Sequence, residues 1–348
     1  ADLPGGDGVA AWTDGAGLLT TGSGHRVGAF NDEVWRADPQ GQQDPVSLTE
    51  ALDHDADFVG VTTQRLVVEA PVQTGRGAFA IPLQDGQGAG DPKRIDDAEH
   101  FYSDMALSED GSRLVFIAEG PTTPPNVHVS PADSFAPRLL TDIHPQADAF
   151  RLGEQRVVEW TSSVDGEPIE GVLTLPVGYE DGDRVPLLVD VHGGPSGVDG
   201  MTYKAGGYAY PTQVFAGLGY AVLQPNYRGS TGYGERFRNL IRGHISDHEW
   251  ADVNAGVDAM IEAGIADPDR LGLMGWSYGG HQTFWGITHT DRFAAASAGA
   301  GATDLVSMYS QTDLPSFYHT YLGPKPWEDF ELYEERSSYR SVTDAATP

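Results

Sequence analysis

Gly275-Trp276-Ser277-Tyr278-Gly279 is the stretch that most restricts what this chain can fold into. The apolar run Leu271–Met274 leads into it, and a helix-compatible run starts at Tyr278. A G-x-S-x-G sequence between a strand and a helix reads as a nucleophile elbow. The turn is so tight that Ser277 is expected in a strained backbone conformation, and Gly275 and Gly279, lacking Cβ atoms, let the two arms approach. That geometry lifts the Ser277 hydroxyl above the sheet and aims the Tyr278 N–H at the point where an oxyanion would form. The helix N-terminus beneath adds partial positive charge.

The five letters alone read equally well as a loop or a helix cap. A second motif selects the elbow: His192-Gly193-Gly194-Pro195 follows the apolar strand Val185–Val191. Turns of this HGG type supply the other oxyanion donor beside such an elbow.

The chain has 348 residues, which suits two domains better than one. Its formal net charge is −30, and Lys93, Lys204 and Lys325 are its only lysines. The acidity is spread along the chain, so the compact state repels itself unless salt screens it. This points to a protein adapted to high salt, from a salt-accumulating cytoplasm. No basic stripe exists to meet phosphates, which argues against nucleic acid as a partner. Without cysteine there are no disulfides and no thiol chemistry. The first residues have neither the basic start nor the apolar run of a signal peptide, and no apolar run reaches membrane-spanning length, so no membrane partner is expected.

Up to about residue 150 the pattern is all-β. Strands are expected at Gly8–Thr13, Gly17–Thr21, Arg26–Phe30, Glu33–Ala37, Phe58–Thr62, Arg65–Glu69 and Ala78–Pro82, and a hairpin at Met105–Ile117 around Asp110-Gly111, with a fainter copy at Asp14-Gly15. Strand groups recurring every ~40–50 residues are the mark of propeller blades, and about three fit here. A closed propeller needs roughly four to eight, so three should not close alone. Gly120–Pro125 reads as a rigid surface turn. From about Gln155 apolar strands alternate with helical stretches: strands at Arg156–Thr161, Ile169–Pro176, Val185–Val191, Tyr220–Pro225, Arg270–Met274 and Arg292–Ala298, and helices at Pro211–Ala216, Glu249–Ala263 and from Tyr278. This predicts a doubly wound α/β sheet with its site at the strand C-terminal ends. The expected domains are 1–153, a partial β-propeller, and 154–348, an α/β domain.

The segments DGEPIEGVLTLP, VDVHGGPSG, FAGLGYAVLQPNYRGSTGYG, ADPDRLGLMGWSYGG and LYEERSSYRSV together resemble the prolyl oligopeptidase family of serine peptidases, especially its acylaminoacyl-peptidase-like branch. The resemblance covers nearly all of the second half, and more loosely the β-rich first half. It implies an α/β hydrolase (doubly wound, three layers) preceded by all-β propeller blades that restrict access to short peptides. It implies Ser277 as nucleophile, an oxyanion hole from the N–H groups of Tyr278 and Gly194, and an acyl-enzyme resolved by water. No metal and no organic cofactor are implied.

In α/β hydrolases the triad runs Ser, then Asp or Glu, then His. By the resemblance, the residues that would carry the last two fall beyond Pro348, so this chain alone is expected to be inactive or weak. It is also expected to associate with itself or with a complementary chain. Among local residues, His281 and His289 read as packed or capping residues, Asp304 as a helix N-cap, His192 as a loop-holding residue, and His319 as an entrance residue. Arg228 is a possible substrate contact, since its guanidinium can fork onto a peptide carboxylate, but an internal ion pair is the favoured reading. A carboxylesterase would use the same elbow, and a non-catalytic peptide-binding remnant would keep the pocket without the chemistry.

Overall fold

The computed structural model describes residues 8–13, 17–23, 30–84, 87–88, 90–206 and 210–348. They group into two compact units. One takes the described residues of Ala1–Phe150 with Gly200–Tyr203 and Thr231–Glu235; the other takes Arg151–Asp199, Lys204–Ser230 and Arg236–Pro348.

The first unit is built of three antiparallel blades. The first orders β1 (Gly8–Thr13), β2 (Gly17–Gly22), β3 (Glu33–Ala37) and β4 (Val46–Ser47) in sequence. The second orders β5 (Asp57–Val61), β6 (Arg65–Val72), β7 (Gly75–Gln84) and β8 (Gln87–Gly88), with β9 (Lys93–Arg94) also on β7. The third orders β10 (Phe101–Leu107), β11 (Arg113–Gly120), β12 (Thr123–Pro131) and β13 (Arg138–Leu139). In β6, Leu66 and Val68 pack with Leu19 and Val34, whereas Val67 packs with Tyr102, Leu114 and Phe116. Both faces of this middle blade are therefore buried. This is why β6 reads as a continuous apolar run and not as an alternation.

The Asp110-Gly111 turn forms as expected. Gly111 adopts φ +71°, and Asp110 Oδ1 accepts from Ser108 Oγ and the Ser112 N–H. The expectation at Gly120–Pro125 is corrected. The turn is confined to Pro121-Thr122, and Thr123–Pro131 is strand β12. Ala118 pairs with Asn126 and Gly120 with Thr123, so Pro124 and Pro125 lie together opposite Glu119 at a register shift. Such a bulge accommodates residues that cannot donate to the ladder. The Arg26–Phe30 strand and the Asp14-Gly15 turn lie outside the described residues, except Phe30, which is not in a strand.

The second unit is a six-stranded mixed sheet. Its strands are β14 (Gln155–Thr161), β15 (Pro168–Thr174), β16 (Val185–Val191), β17 (Ala221–Asn226), β18 (Ala266–Trp276) and β19 (Ala295–Gly299), in the order β14-β15-β17-β16-β18-β19. The β14-β15-β17 pairings are antiparallel and the rest parallel. Consecutive residues Val172 and Leu173, and Ala221, Val222 and Leu223, are all fully buried, so both faces of the sheet are covered. This makes the three layers of an α/β hydrolase.

Helices α1 (Thr212–Gly217), α2 (Gly234–Asn239), α3 (His248–Glu262), α4 (Tyr278–His289), α5 (Leu305–Gln311), α6 (Pro315–Leu322) and α7 (Phe330–Glu335) complete the second half. On α3 the apolar stripe Val253, Val257 and Met260 is buried, as its spacing predicts. Trp160 Nε1 donates to Asp252 O, and Gly256 leaves the space its ring fills. No helix among the described residues is long and apolar enough to cross a membrane.

Candidate active site

Ser277 joins the C-terminal end of β18 to the first turn of α4 with φ 57° and ψ −119°. This is a conformation that L-residues rarely adopt, held only because its surroundings over-determine it. Its N–H donates to Gly299 O at 2.9 Å, and its carbonyl accepts from the His281 N–H at 3.0 Å, closing the first helical turn. The flanking glycines are sterically required. A Cβ on Gly275 would lie 2.4 Å from Gly279 O, and one on Gly279 would lie 1.8 Å from Val191 O. Strand β16 thus passes directly beneath the elbow. Tyr210 Oη donates to Gly275 O and Ser297 O, tying β18 to β19.

The HGGP turn meets the hydroxyl from the β16 side. A Cβ on Gly193 would lie 3.2 Å from Ser277 Cβ and 3.7 Å from its Oγ. Gly194 has φ +123° and precedes a cis peptide to Pro195. His192 stacks on Tyr227 and its Nε2 meets Ser230 Oγ at 3.0 Å, while burial holds its pKa below the ordinary value. It therefore holds the loop.

Ser277 is exposed and opens on a cavity of about 250 Å³, whose wall includes Gly194, Tyr278, Leu305, Met308, Phe317 and Tyr318. The wall is mainly apolar, which suits an apolar or aromatic side chain. Trp276 lies over Gly299, whose absent Cβ would otherwise stand 2.2 Å from the indole, and stays 57% exposed.

Arg228 is elsewhere. It is 1% exposed, with Nε 2.8 Å from Asp252 Oδ2, Nη2 2.9 Å from Asp252 Oδ1 and 2.8 Å from Ser162 Oγ, and Nη1 3.1 Å from Asp165 Oδ2. A guanidinium so engaged ties the loop after β17 to α3 and to the β14–β15 turn; it does not offer a fork to an incoming carboxylate. The substrate-contact reading is corrected on that ground.

The histidines take supporting places. His281 is buried, with Nε2 2.8 Å from Ser246 Oγ and Nδ1 2.7 Å from Ala302 O, and burial lowers its pKa. His289 stacks on Trp285, and His319 Nδ1 faces Gly323 O at the end of α6. Asp304 caps α5 through the Val306 and Ser307 N–H groups. Among the described residues no imidazole is hydrogen-bonded to the Ser277 hydroxyl.

Sequence reading missed two features. One is Glu249, a fully buried carboxylate whose Oε1 accepts from Tyr278 Oη, the Ser246 N–H and Gln282 Nε2. Burial pushes its pKa up to about 8, against those hydrogen bonds. The other is the cavity wall from α5 and α6. Its only sequence signal is the helical spacing of Leu305 and Met308 and the aromatic run at Phe317-Tyr318.

Fold and site together define an α/β hydrolase with a strained serine elbow beside a small apolar cavity. Residues 207–348 match the model of the prolyl oligopeptidase family. The chain is 29% identical over 313 residues to an uncharacterized peptidase, YuxL, of Bacillus subtilis, covering 87% of this chain and 46% of that one. It is 27% identical to the acylamino-acid-releasing enzyme of Arabidopsis thaliana, covering 74% of this chain and 34% of that one. The chain thus spans less than half the length of either relative. The Pyrococcus horikoshii acylaminoacyl peptidase structure superposes with a TM-score of 0.83 at 23% identity, covering 97% of this chain and 52% of that one, a likeness of fold. A structure of an acylaminoacyl peptidase in complex with Z-Gly-Gly-Phe-chloromethyl ketone gives a TM-score of 0.82 at 23% identity over the same shares. The segment that carries the elbow thus matches the prolyl oligopeptidase family, and the described fold is like that of the acylaminoacyl peptidase structures.

Proposed function

We propose that this chain carries the nucleophile and oxyanion hole of a serine peptidase acting on short peptides. The observation that carries this reading is the strained Ser277 backbone at the mouth of an apolar cavity, with the HGGP turn against its hydroxyl. Ser277 Oγ attacks the scissile carbonyl carbon and its proton passes to a base. The N–H groups of Tyr278 and Gly194 receive the oxyanion; the amine leaves with a proton, and water releases the acyl group. Because no imidazole among the described residues is hydrogen-bonded to Ser277, this polypeptide alone is expected to turn over weakly. What remains is the residual catalysis that an oxyanion hole and binding give without a base.

The test is intact mass after exposure to a fluorophosphonate probe. The expected result is slow addition of one adduct that Ser277→Ala abolishes. An adduct that survives Ser277→Ala, or none after prolonged exposure, would overturn the assignment of Ser277. An esterase would share the adduct, and relative turnover of p-nitrophenyl esters and peptide anilides separates the two.

Two further parts of the reading are physical. The net charge of −30 supports a salt-requiring protein in a salt-rich cytoplasm, and an unchanged thermal midpoint between dilute and molar KCl would count against it. Self-association, or pairing with a complementary chain, stays part of this reading although the Ala296 N–H of the outer strand β19 is already taken by Pro348 O; a monomeric sedimentation coefficient at all concentrations would count against association with itself.

A further inference from the structure

The turn from His244 to His248 enters α3 and has no part in the chemistry above. The His244 N–H donates to Ile241 O at 3.0 Å and the Asp247 and His248 N–H groups donate to His244 O at 3.2 and 3.3 Å, with Ser246 at φ +83° inside the turn. This tight turn, and not a helix face, brings positions 244, 247 and 248 together. One ligand-capable atom from each of His244, Asp247 and His248 lies within 4.8 Å of the others. The two imidazoles are stacked, with centroids 3.7 Å apart and planes 5° from parallel, so one ring has to turn about its Cβ–Cγ bond for both to aim a nitrogen at a single ion. Among the described residues neither ring is hydrogen-bonded to another group. Asp247 Oδ1 is buried without a hydrogen-bond partner, while Oδ2 pairs with Arg336. One oxygen is thus anchored and the other left to accept.

We propose that His244, Asp247 and His248 form a binding site for one divalent transition-metal ion of the zinc class. Two imidazoles and a carboxylate are the donor set such ions prefer, and three protein ligands leave a position for water. Magnesium and calcium, which want oxygen shells, do not suit it. The nearby cations do not oppose the ion outright: Arg336 is tied to Asp247 Oδ2, and Arg228 is neutralised by Asp252 and Asp165. The same turn brings Ile245 to the cavity wall and Ser246 Oγ to His281 Nε2, so the ion stiffens the wall near Ser277.

The experiment is calorimetric titration of the untagged 348-residue protein with zinc chloride, and with magnesium chloride as the hard-cation control. His244→Ala and His248→Ala are titrated beside it. His244 is exposed, so its removal should leave the circular dichroism spectrum unchanged. The expected result is one micromolar zinc site, weakened at least about tenfold in each variant, and a thermal midpoint that rises with zinc in the wild type alone. Affinity retained in either variant, equal binding of magnesium, or no saturation by about 1 mM zinc would overturn the site. None of these readouts depends on hydrolysis, so they stand apart from the fate of the Ser277 reading.

Discussion

Two loops leave the C-terminal ends of β17 and β18, both of them parallel neighbours of β16, and they are built on opposite principles. After β17, Arg228 is buried with its guanidinium engaged by Asp252, Asp165 and Ser162. After β18, Ser277 is exposed, its backbone strained and its hydroxyl without an imidazole partner among the described residues. A polar group whose hydrogen bonds are met locally is structural. A polar group held under strain with its valence open is positioned for a ligand. In the sequence Arg228 could serve a substrate carboxylate or an internal ion pair, the pair being favoured, and here the carboxylates are the protein's own.

The largest effect should come from breaking the saturated loop. Asp252→Ala leaves the Arg228 charge buried with one partner fewer and should cost about 3–5 kcal/mol in urea unfolding. A cost below about 1 kcal/mol would mean that the pair does not hold the loop. Fluorophosphonate labelling of the folded fraction should be little changed, because Asp252 does not reach Ser277.

A smaller effect is expected at Asp190, on β16 just before the HGGP turn. Burial, and then the Asp199 charge, push its carboxyl up to about 7, against the pull of Lys204 and Gln224. Its folded pKa lies above the unfolded value of about 3.9. Its contribution to stability is therefore complete below pH 4 and is lost as pH rises through about 7. Asp190→Asn should flatten the stability profile between those limits and raise stability at pH 8 by about 1–2 kcal/mol, discounting for partial solvent access. An unaltered pH profile would show that Asp190 ionises normally in the fold.

The smallest effect sharpens the contrast most. Ser277→Gly removes the side chain that makes φ 57° costly. It should stabilise the protein by about 1 kcal/mol, less the extra freedom glycine gives the unfolded chain, while abolishing the probe adduct. Destabilisation instead would place the strain elsewhere. At Arg228 no substitution should combine a gain in stability with a loss of reactivity.

Legibility followed how local the cause was. Gly8–Thr13, Glu33–Ala37 and Val185–Val191 were readable to the residue, because alternation or an apolar run was bounded by turn residues. Thr123–Pro131 was not, because its prolines read as a turn and only pairing with β11 provides the bulge that tolerates them. Helices α5 and α6 carry weak periodicity, so the cavity they wall was invisible until they were placed beside Ser277.

The sequence by itself determined the elbow. Two glycines around a serine between a strand and a helix leave one way for the chain to turn, and the strain at Ser277 follows from covalent geometry. Tertiary structure decided everything that depends on partners far along the chain. Asp165 and Asp252 claim Arg228 across 63 and 24 residues, Glu249 reaches Tyr278 across 29, and Ser246 meets His281 across 35. A side chain's chemistry is fixed by its type, but whether its hydrogen bonds are spent or open is fixed by what the fold brings beside it.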